Sequence, residues 1–258
     1  MNRFKDIYLK ITKYLTYVIP IIIILISVWV ISILIIGNKS YYSYEFSKNN
    51  TLERLTWQTK DGEIIEYTDN DLLEIRDAII EYLFNKRESM QIVIEGNDFF
   101  SYQALEHMRC VRNLLNRWMI ITIILIIVFG IWLIGFCMNY KDILPNLFKP
   151  TYITYVVVMG VLLVIGVMML IDFDWTFTWF HHVLFPKPSE FNDAFFRNTS
   201  NYDVDNANPY INNLNLVNVL SIEVFMDGAW IIVGYLVLII ALWFIFTFHF
   251  RKRKEVTN

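Results

Sequence analysis

Four stretches of the chain are apolar without a charge, and the segments between them are mixed. No charged residue occurs between Lys13 and Lys39, Arg117 and Lys141, Lys149 and Asp172, or Asp227 and Arg251, which leaves windows of about 22 to 25 residues. About 20 apolar residues carry a helix across ~30 Å of hydrocarbon, and a helix satisfies its own backbone there. The pattern predicts an all-α membrane protein, a bundle of four transmembrane helices. Its expected layout is an N-terminal segment with the first span (1–38), the second span (118–140), the third (151–171) and the fourth (228–250). Between them lie a first outer segment (39–117), a cytoplasmic loop (141–150) and a second outer segment (172–227), with a basic tail (251–258) at the end. The first window is too long for a secretory signal and has no small-x-small site, so it reads as an uncleaved anchor.

Shorter periodicities mark the outer segments, which together form an extracytoplasmic cap. "YYSYEF" (41–46) is an aromatic cluster of the kind that anchors at headgroup level. Asp61-Gly62 is a turn signal beside two short strand-like pieces, of which "GEIIEY" is the better. Thr68 followed by Asp71 resembles a capping box, and Leu72, Ile75, Ile79, Ile80 and Leu83 recur at helical spacing, predicting an amphipathic helix of about 14 residues. Leu105, Met108, Val111, Leu114 and Leu115 extend the second span outward as a helix that carries His107. From Phe173 to Trp179 alternation fits a strand, whereas Phe173, Phe177, His181 and Phe185 at i+4 fit a helix; an interfacial helix is the preferred reading. The stretch beyond, rich in Asn, Asp and Ser, reads as an irregular loop with a sequon at Asn198.

Composition agrees: 56% of residues are hydrophobic and the mean hydropathy is +0.42, too apolar for a soluble chain of this length. The net charge of −3 says little about partners, because the charges are sorted by side. Arg3, Lys5, Lys10 and Lys13, then Lys141 and Lys149, then "RKRKEVTN" belong on the cytoplasmic side by the positive-inside rule. The segment 172–227 has only Lys187 and Arg197. The segment 39–117 has ten Lys and Arg, but loops above about 60 residues cross largely regardless of charge. Both termini are thus expected inside. Cys110 and Cys137, on one helix, would stand ~40 Å apart and cannot pair.

Candidate chemistry centres on "FHHVLF" (180–185), since the chain has four histidines. His181 and His182 are read three ways. They are aromatic-like filler in an interfacial helix; or metal ligands, with His107 and Asp174 or Asp227; or acid–base groups, for which an unperturbed pKa of about 6.5 suits imidazole. No HExxH or CxxC supports the metal, and adjacent helical residues point about 100° apart. Cys110, three residues after His107, is a further nucleophile–base pair to weigh. No GxSxG and no phosphate-binding glycine loop occurs. None of the spans carries an ionisable residue at depth, which argues against transport.

In order and spacing the chain resembles the lipoprotein intramolecular transacylase family of bacterial membrane proteins. The matching pieces are "EYLF" (81–84), "HMRCV" (107–111), "FHHVLF" (180–185) and "FMD" (225–227), set among four spans. The chain departs from the family pattern at Ala104 and Cys110, where acidic residues are common, and at Ser221, where a proline is usual. The resemblance implies transfer of an acyl chain, within one diacylglyceryl lipoprotein, from the glyceryl sn-2 oxygen to the α-amino group of the N-terminal cysteine. It implies that His181 and His107 are catalytic, His181 as general base and His107 at the oxyanion or orienting its partner. Supporting candidates are Arg109 for charge stabilisation and His182, Glu223 and Asp227, the last two to hold an imidazole tautomer.

No cofactor, metal or nucleic acid is expected. The expected partners are the lipoprotein substrate in the outer leaflet and membrane lipid, with the active site on the extracytoplasmic side of the bacterial cell membrane. The alternatives are a non-catalytic membrane protein that binds lipid or lipopeptide through the same cap, and a metal-dependent membrane hydrolase.

Overall fold

The computed structural model describes residues 2–55, 57–58, 64–184 and 214–257. The expected Asp61-Gly62 turn, Phe185 and the loop with Asn198 lie outside them. In chain order the helices are α1 (Asn2–Leu15), α2 (Ile19–Ile36), α3 (Lys39–Lys48), α4 (Thr51–Arg54), α5 (Asp69–Leu83) and α6 (Tyr102–Met138). They continue with α7 (Tyr140–Ile171), α8 (Phe173–Leu184), α9 (Leu214–Val219) and α10 (Ile222–Thr257). Two antiparallel hairpins pair β1 (Trp57–Gln58) with β2 (Ile64–Ile65) and β3 (Val93–Ile94) with β4 (Asn97–Asp98). Among the described residues four helical stretches are long and apolar enough to cross a membrane: Ile19–Ile36, Ala104–Met138, Asn146–Ile171 and Ile222–His249. The chain is therefore an all-α, four-span membrane protein.

The chain divides into two compact units. The first comprises Met1–Ser32, Trp118–Phe180 and Trp230–Asn258; the second, Ile33–Arg117 and His181–Ala229.

Within the first unit, Ile19, Ile22, Trp132, Ile143 and Leu147 form a buried cluster backed by Leu15, Leu144 and Trp243. Hydrocarbon offers no water to an indole N–H, so each such donor needs a protein partner. Trp132 Nε1 donates to Thr16 Oγ1 (3.1 Å) and Trp243 Nε1 to Thr151 Oγ1 (2.9 Å). The Thr16 hydroxyl in turn donates to the Thr12 carbonyl one turn back (2.8 Å). Gly135 lies so close to Thr12 that a Cβ there would collide with its side chain.

Residues 141–150, expected as a loop, are helical and continuous with the third span in α7. Ile143, Leu147 and Thr151 recur at i+4 and are all buried, so the segment has its own apolar face. Asn146 Nδ2 donates to the Asp142 carbonyl (2.7 Å).

The second unit has its own core. Its centre is α5, whose Leu72, Ile75, Ile79, Ile80 and Leu83 are all buried, each contributing up to about 1.5–3 kcal/mol by removal from water. The helix starts with the full capping box, Thr68 Oγ1 accepting from Asp71 N and Asp71 Oδ2 accepting from Thr68 N. It ends in a Schellman turn: Asn85 takes φ 58°, and Lys86 N donates to Glu81 O (2.8 Å). The aromatic cluster 41–46 falls on α3, and Tyr42 and Phe46 pack into this core. Only Tyr44 among its large aromatics is strongly exposed, so the cluster also serves as a packing element of this core.

The β3–β4 hairpin turns through Glu95 (φ 50°) and Gly96 (φ 80°), a two-residue turn with both central residues left-handed. Beyond its strands the Gln91 amide mimics a further rung: Phe100 N donates to Gln91 Oε1 (2.9 Å) and Gln91 Nε2 to Phe100 O (2.8 Å). This fixes the entry into α6, which Ser101 then caps by accepting from Ala104 N (3.1 Å).

Candidate active site

His107 sits in the second turn of α6 as fixed by the Gln91 and Ser101 contacts. Ala104, Met108, Val111 and Leu115 of this helix face the core of the second unit. At 100° per residue His107 lies at the edge of that face, and it is 8% exposed.

Arg109 is turned by two further residues onto the other side of α6. Its Nε and Nη2 both donate to Glu106 Oε2, at 3.0 and 2.5 Å, and the guanidinium is more than half exposed. Arg112, unremarked in the sequence, places its guanidinium carbon 4.1 Å from the centre of the Tyr82 ring. Tyr82 is the tyrosine of "EYLF", so this cation–π contact ties the end of α5 to the helix of His107. Burial pushes the Tyr82 phenol above its ordinary pKa, and Arg112 and Arg109 oppose the shift. Asn85, in the turn just past α5, donates through Nδ2 to Asn116 Oδ1 of α6 (2.9 Å).

His181 belongs to α8, as does His182, whose side chain is exposed. The helix reading of this stretch is the correct one. Its deciding signal is Asp172, whose Oδ1 accepts from Trp175 N (2.9 Å) at the first turn.

The two acidic candidates stand at the start of α10 with partners the sequence did not indicate. Asp227 forms an ion pair with Lys48, and Glu223 lies 3.6 Å from Arg54. Lys48 also reaches Glu45 (3.9 Å), a carboxylate only 1% exposed that accepts from Asn49 Nδ2 (3.1 Å). Burial raises the Glu45 pKa, and the neighbouring Asp227 charge raises it further. Tyr41 donates to the Val224 carbonyl (2.5 Å) beside Gly228, where a Cβ would stand 3.3 Å from the Tyr41 oxygen. Asp227 and Glu223 are thus engaged in holding α3 and α4 against α10. Sequence reasoning missed Glu45; its signal was a lone acid inside an aromatic run, three residues before a lysine. Asn215 of α9 donates to the Phe99 carbonyl (2.8 Å), closing the core beside the entry to α6.

Among the described residues no three His, Cys, Asp or Glu side chains gather where they could hold a metal ion. Cys110 is half-buried on α6 and carries no disulfide.

The family model described as lipoprotein intramolecular transacylase Lit matches residues 14–190. No curated protein gave a significant match. Among solved structures, an in meso structure of the membrane integral lipoprotein intramolecular transacylase Lit from Bacillus cereus matches at a TM-score of 0.56 and 16% identity, covering 100% of both chains. Two variants of the Bacillus cereus protein, with a histidine changed to alanine or to arginine, match at a TM-score of 0.59 and 15% identity. They cover 99% and 100% of this chain and 97% and 96% of their own.

Proposed function

Because the chain belongs to the Lit family of lipoprotein intramolecular transacylases, we propose that it moves the sn-2 acyl chain of a diacylglyceryl lipoprotein onto the α-amino group of its N-terminal cysteine. The observation that carries this reading is the family match, which spans both His107 and His181.

The chemistry needs little more than positioning and a base. The amine nitrogen attacks the ester carbonyl carbon, and His181 accepts the proton the nitrogen loses. The carbonyl oxygen bears the negative charge of the tetrahedral intermediate, which His107 stabilises, or His107 acts by orienting His181. The intermediate collapses with cleavage of the bond to the glycerol oxygen, which takes the proton back from His181. The product is the lyso-form, with one acyl chain on glycerol and one on nitrogen. An α-amino pKa of about 7.7–8.0 lies close enough to imidazole for this transfer near neutral pH. Amine and ester belong to one molecule, and effective molarities of about 10⁵–10⁸ M are available to such reactions. No serine or cysteine nucleophile is required.

Arg109, His182, Glu223 and Asp227 take supporting roles at most; the ion pairs of the two acids favour a structural task for them. The distribution of basic segments supports termini in the cytoplasm and a reaction on the outer face of the cell membrane, with the substrate's acyl chains reaching the site sideways from the outer leaflet. The test is His181→Ala in the full chain, checked for folding by thermal melting and assayed with a diacylglyceryl lipopeptide in vesicles. Loss of N-acylated lyso product by about 10²-fold or more supports the base. Undiminished product removes His181 from that role.

A further inference from the structure

The segment before the first span has a task that the acyl transfer does not use. Helix α2 has 18 residues, a length of about 27 Å at 1.5 Å per residue. That is nearly the whole ~30 Å of hydrocarbon, so α2 is used up in crossing. The break in front of it is built into the sequence. Pro20 has no N–H to return to Thr16, and Tyr17 and Val18 instead donate three residues back, to Tyr14 O (3.1 Å) and Leu15 O (2.9 Å). Helix α1 therefore ends at the membrane surface, tethered there by a span that starts four residues later.

The faces of α1 are sorted. One side is held to α6: Tyr8 donates to the Ile131 carbonyl (2.6 Å), Thr12 packs on Gly135, and Thr16 accepts from Trp132. A second face shows Ile7, Ile11 and Tyr14, at i, i+4 and i+7, exposed at 50%, 46% and 76%. Lys10 and Lys13 flank that strip and are exposed. Over its length α1 carries Arg3, Lys5, Lys10 and Lys13 against the single acid Asp6.

We propose that α1 is an in-plane membrane-surface helix that seats Ile7, Ile11 and Tyr14 at the headgroup–acyl boundary and binds anionic lipid headgroups through its lysines. An apolar strip with a cationic flank is the physical requirement for such binding. The occupant is the leaflet itself, since the adjoining span fixes α1 at its surface and the charge is of the complementary sign.

The test uses the full chain with Cys110→Ser and Cys137→Ser, checked for unchanged melting, and single spin labels at Ile7→Cys, Ile11→Cys or Lys13→Cys. Collisions with oxygen, which partitions into lipid, and with a water-soluble nickel chelate are measured in phosphatidylglycerol and phosphatidylcholine vesicles. The labels at 7 and 11 are expected several-fold richer in oxygen collisions than the label at 13. That difference grows in phosphatidylglycerol and loses the gain when Lys10→Gln is added. Labels at 7 and 11 as open to nickel as the one at 13 overturn the proposal. Labels shielded from both reagents overturn it too, by revealing a protein partner, such as a second copy, on that face. Equal readings in the two lipids overturn the anionic preference.

Discussion

Arg112 lies over the face of Tyr82, its guanidinium carbon 4.1 Å from the ring centre. The pair joins the end of α5 to α6, five residues beyond His107. A partly desolvated cation–π contact is worth about 1–2 kcal/mol. Arg112→Ala is expected to lower the melting temperature of the purified protein and to reduce transacylation, since it loosens the helix that aims His107. Tyr82→Phe keeps the ring and is expected to retain most of both. Equal damage from the two substitutions would show that the phenol, not the ring face, matters.

The capping box at the start of α5 gives a second expectation. Thr68→Ala should cost about 1 kcal/mol of stability, and Thr68→Ser should be nearly neutral. Chemical or thermal unfolding in detergent measures both. A silent alanine variant would mean that α5 is held by its buried face alone.

The pH dependence of stability has opposite signs at two carboxylates. Glu45 is buried beside Asp227, and its pKa is raised, so its protonated form favours the fold. That contribution is complete below the unfolded value of about 4.3 and is lost as pH rises through the raised native value. Glu45→Gln should therefore melt closer to the wild type at acid pH and gain on it as pH rises. For Asp77, burial pushes the pKa up, but hydrogen bonds from Arg76 and Lys39 outweigh it and hold the value down. Its contribution exists above the ordinary value of about 3.9 and disappears as pH falls through the lowered one. Asp77→Asn should then be the less stable variant near neutrality, with the gap closing in acid. Melting curves of the two variants between about pH 3 and 8 separate them.

Close approach of α1 and α6 gives a fourth. Gly135→Ala should destabilise the protein by about 1–3 kcal/mol through overpacking, because the new Cβ meets the Thr12 side chain. Combining it with Thr12→Ala should recover part of the loss. A Gly135→Ala protein that melts like the wild type would contradict the observed contact.

How far these features can be read from the sequence depends on how local their causes are. The four spans are legible because a charge in hydrocarbon is costly and its absence over 22 residues or more is conspicuous. Helix α5 is legible because one periodic face and one capping box point the same way. The helical course of 141–150 is not, because two prolines and a short polar run imitate a loop; the face of Ile143, Leu147 and Thr151 carries weight only once Ile19 and Trp132 pack on it. Helix α8 is ambiguous until Asp172 is recognised as its cap. The acids of α10 illustrate the hardest case. Asp227 pairs with Lys48 and Glu223 with Arg54, residues more than 160 positions away, and no spacing rule reaches that far. His107 is legible by its place in "HMRCV", whereas its burial depends on the hairpin and cap that lead into α6.

The central claim is that one acyl chain changes atoms without leaving its molecule, so substrate and product have the same mass. The most direct measurement is tandem mass spectrometry of a diacylglyceryl lipopeptide, its sn-2 chain isotopically labelled, mixed with unlabelled lipopeptide of a different peptide mass and incubated with the protein in vesicles. The predicted result is unchanged parent masses, N-terminal fragments that carry the label only on the originally labelled peptide, and loss of that product in the His181→Ala variant. Label crossing to the other peptide, or no N-acylated fragment from a folded protein, would contradict it.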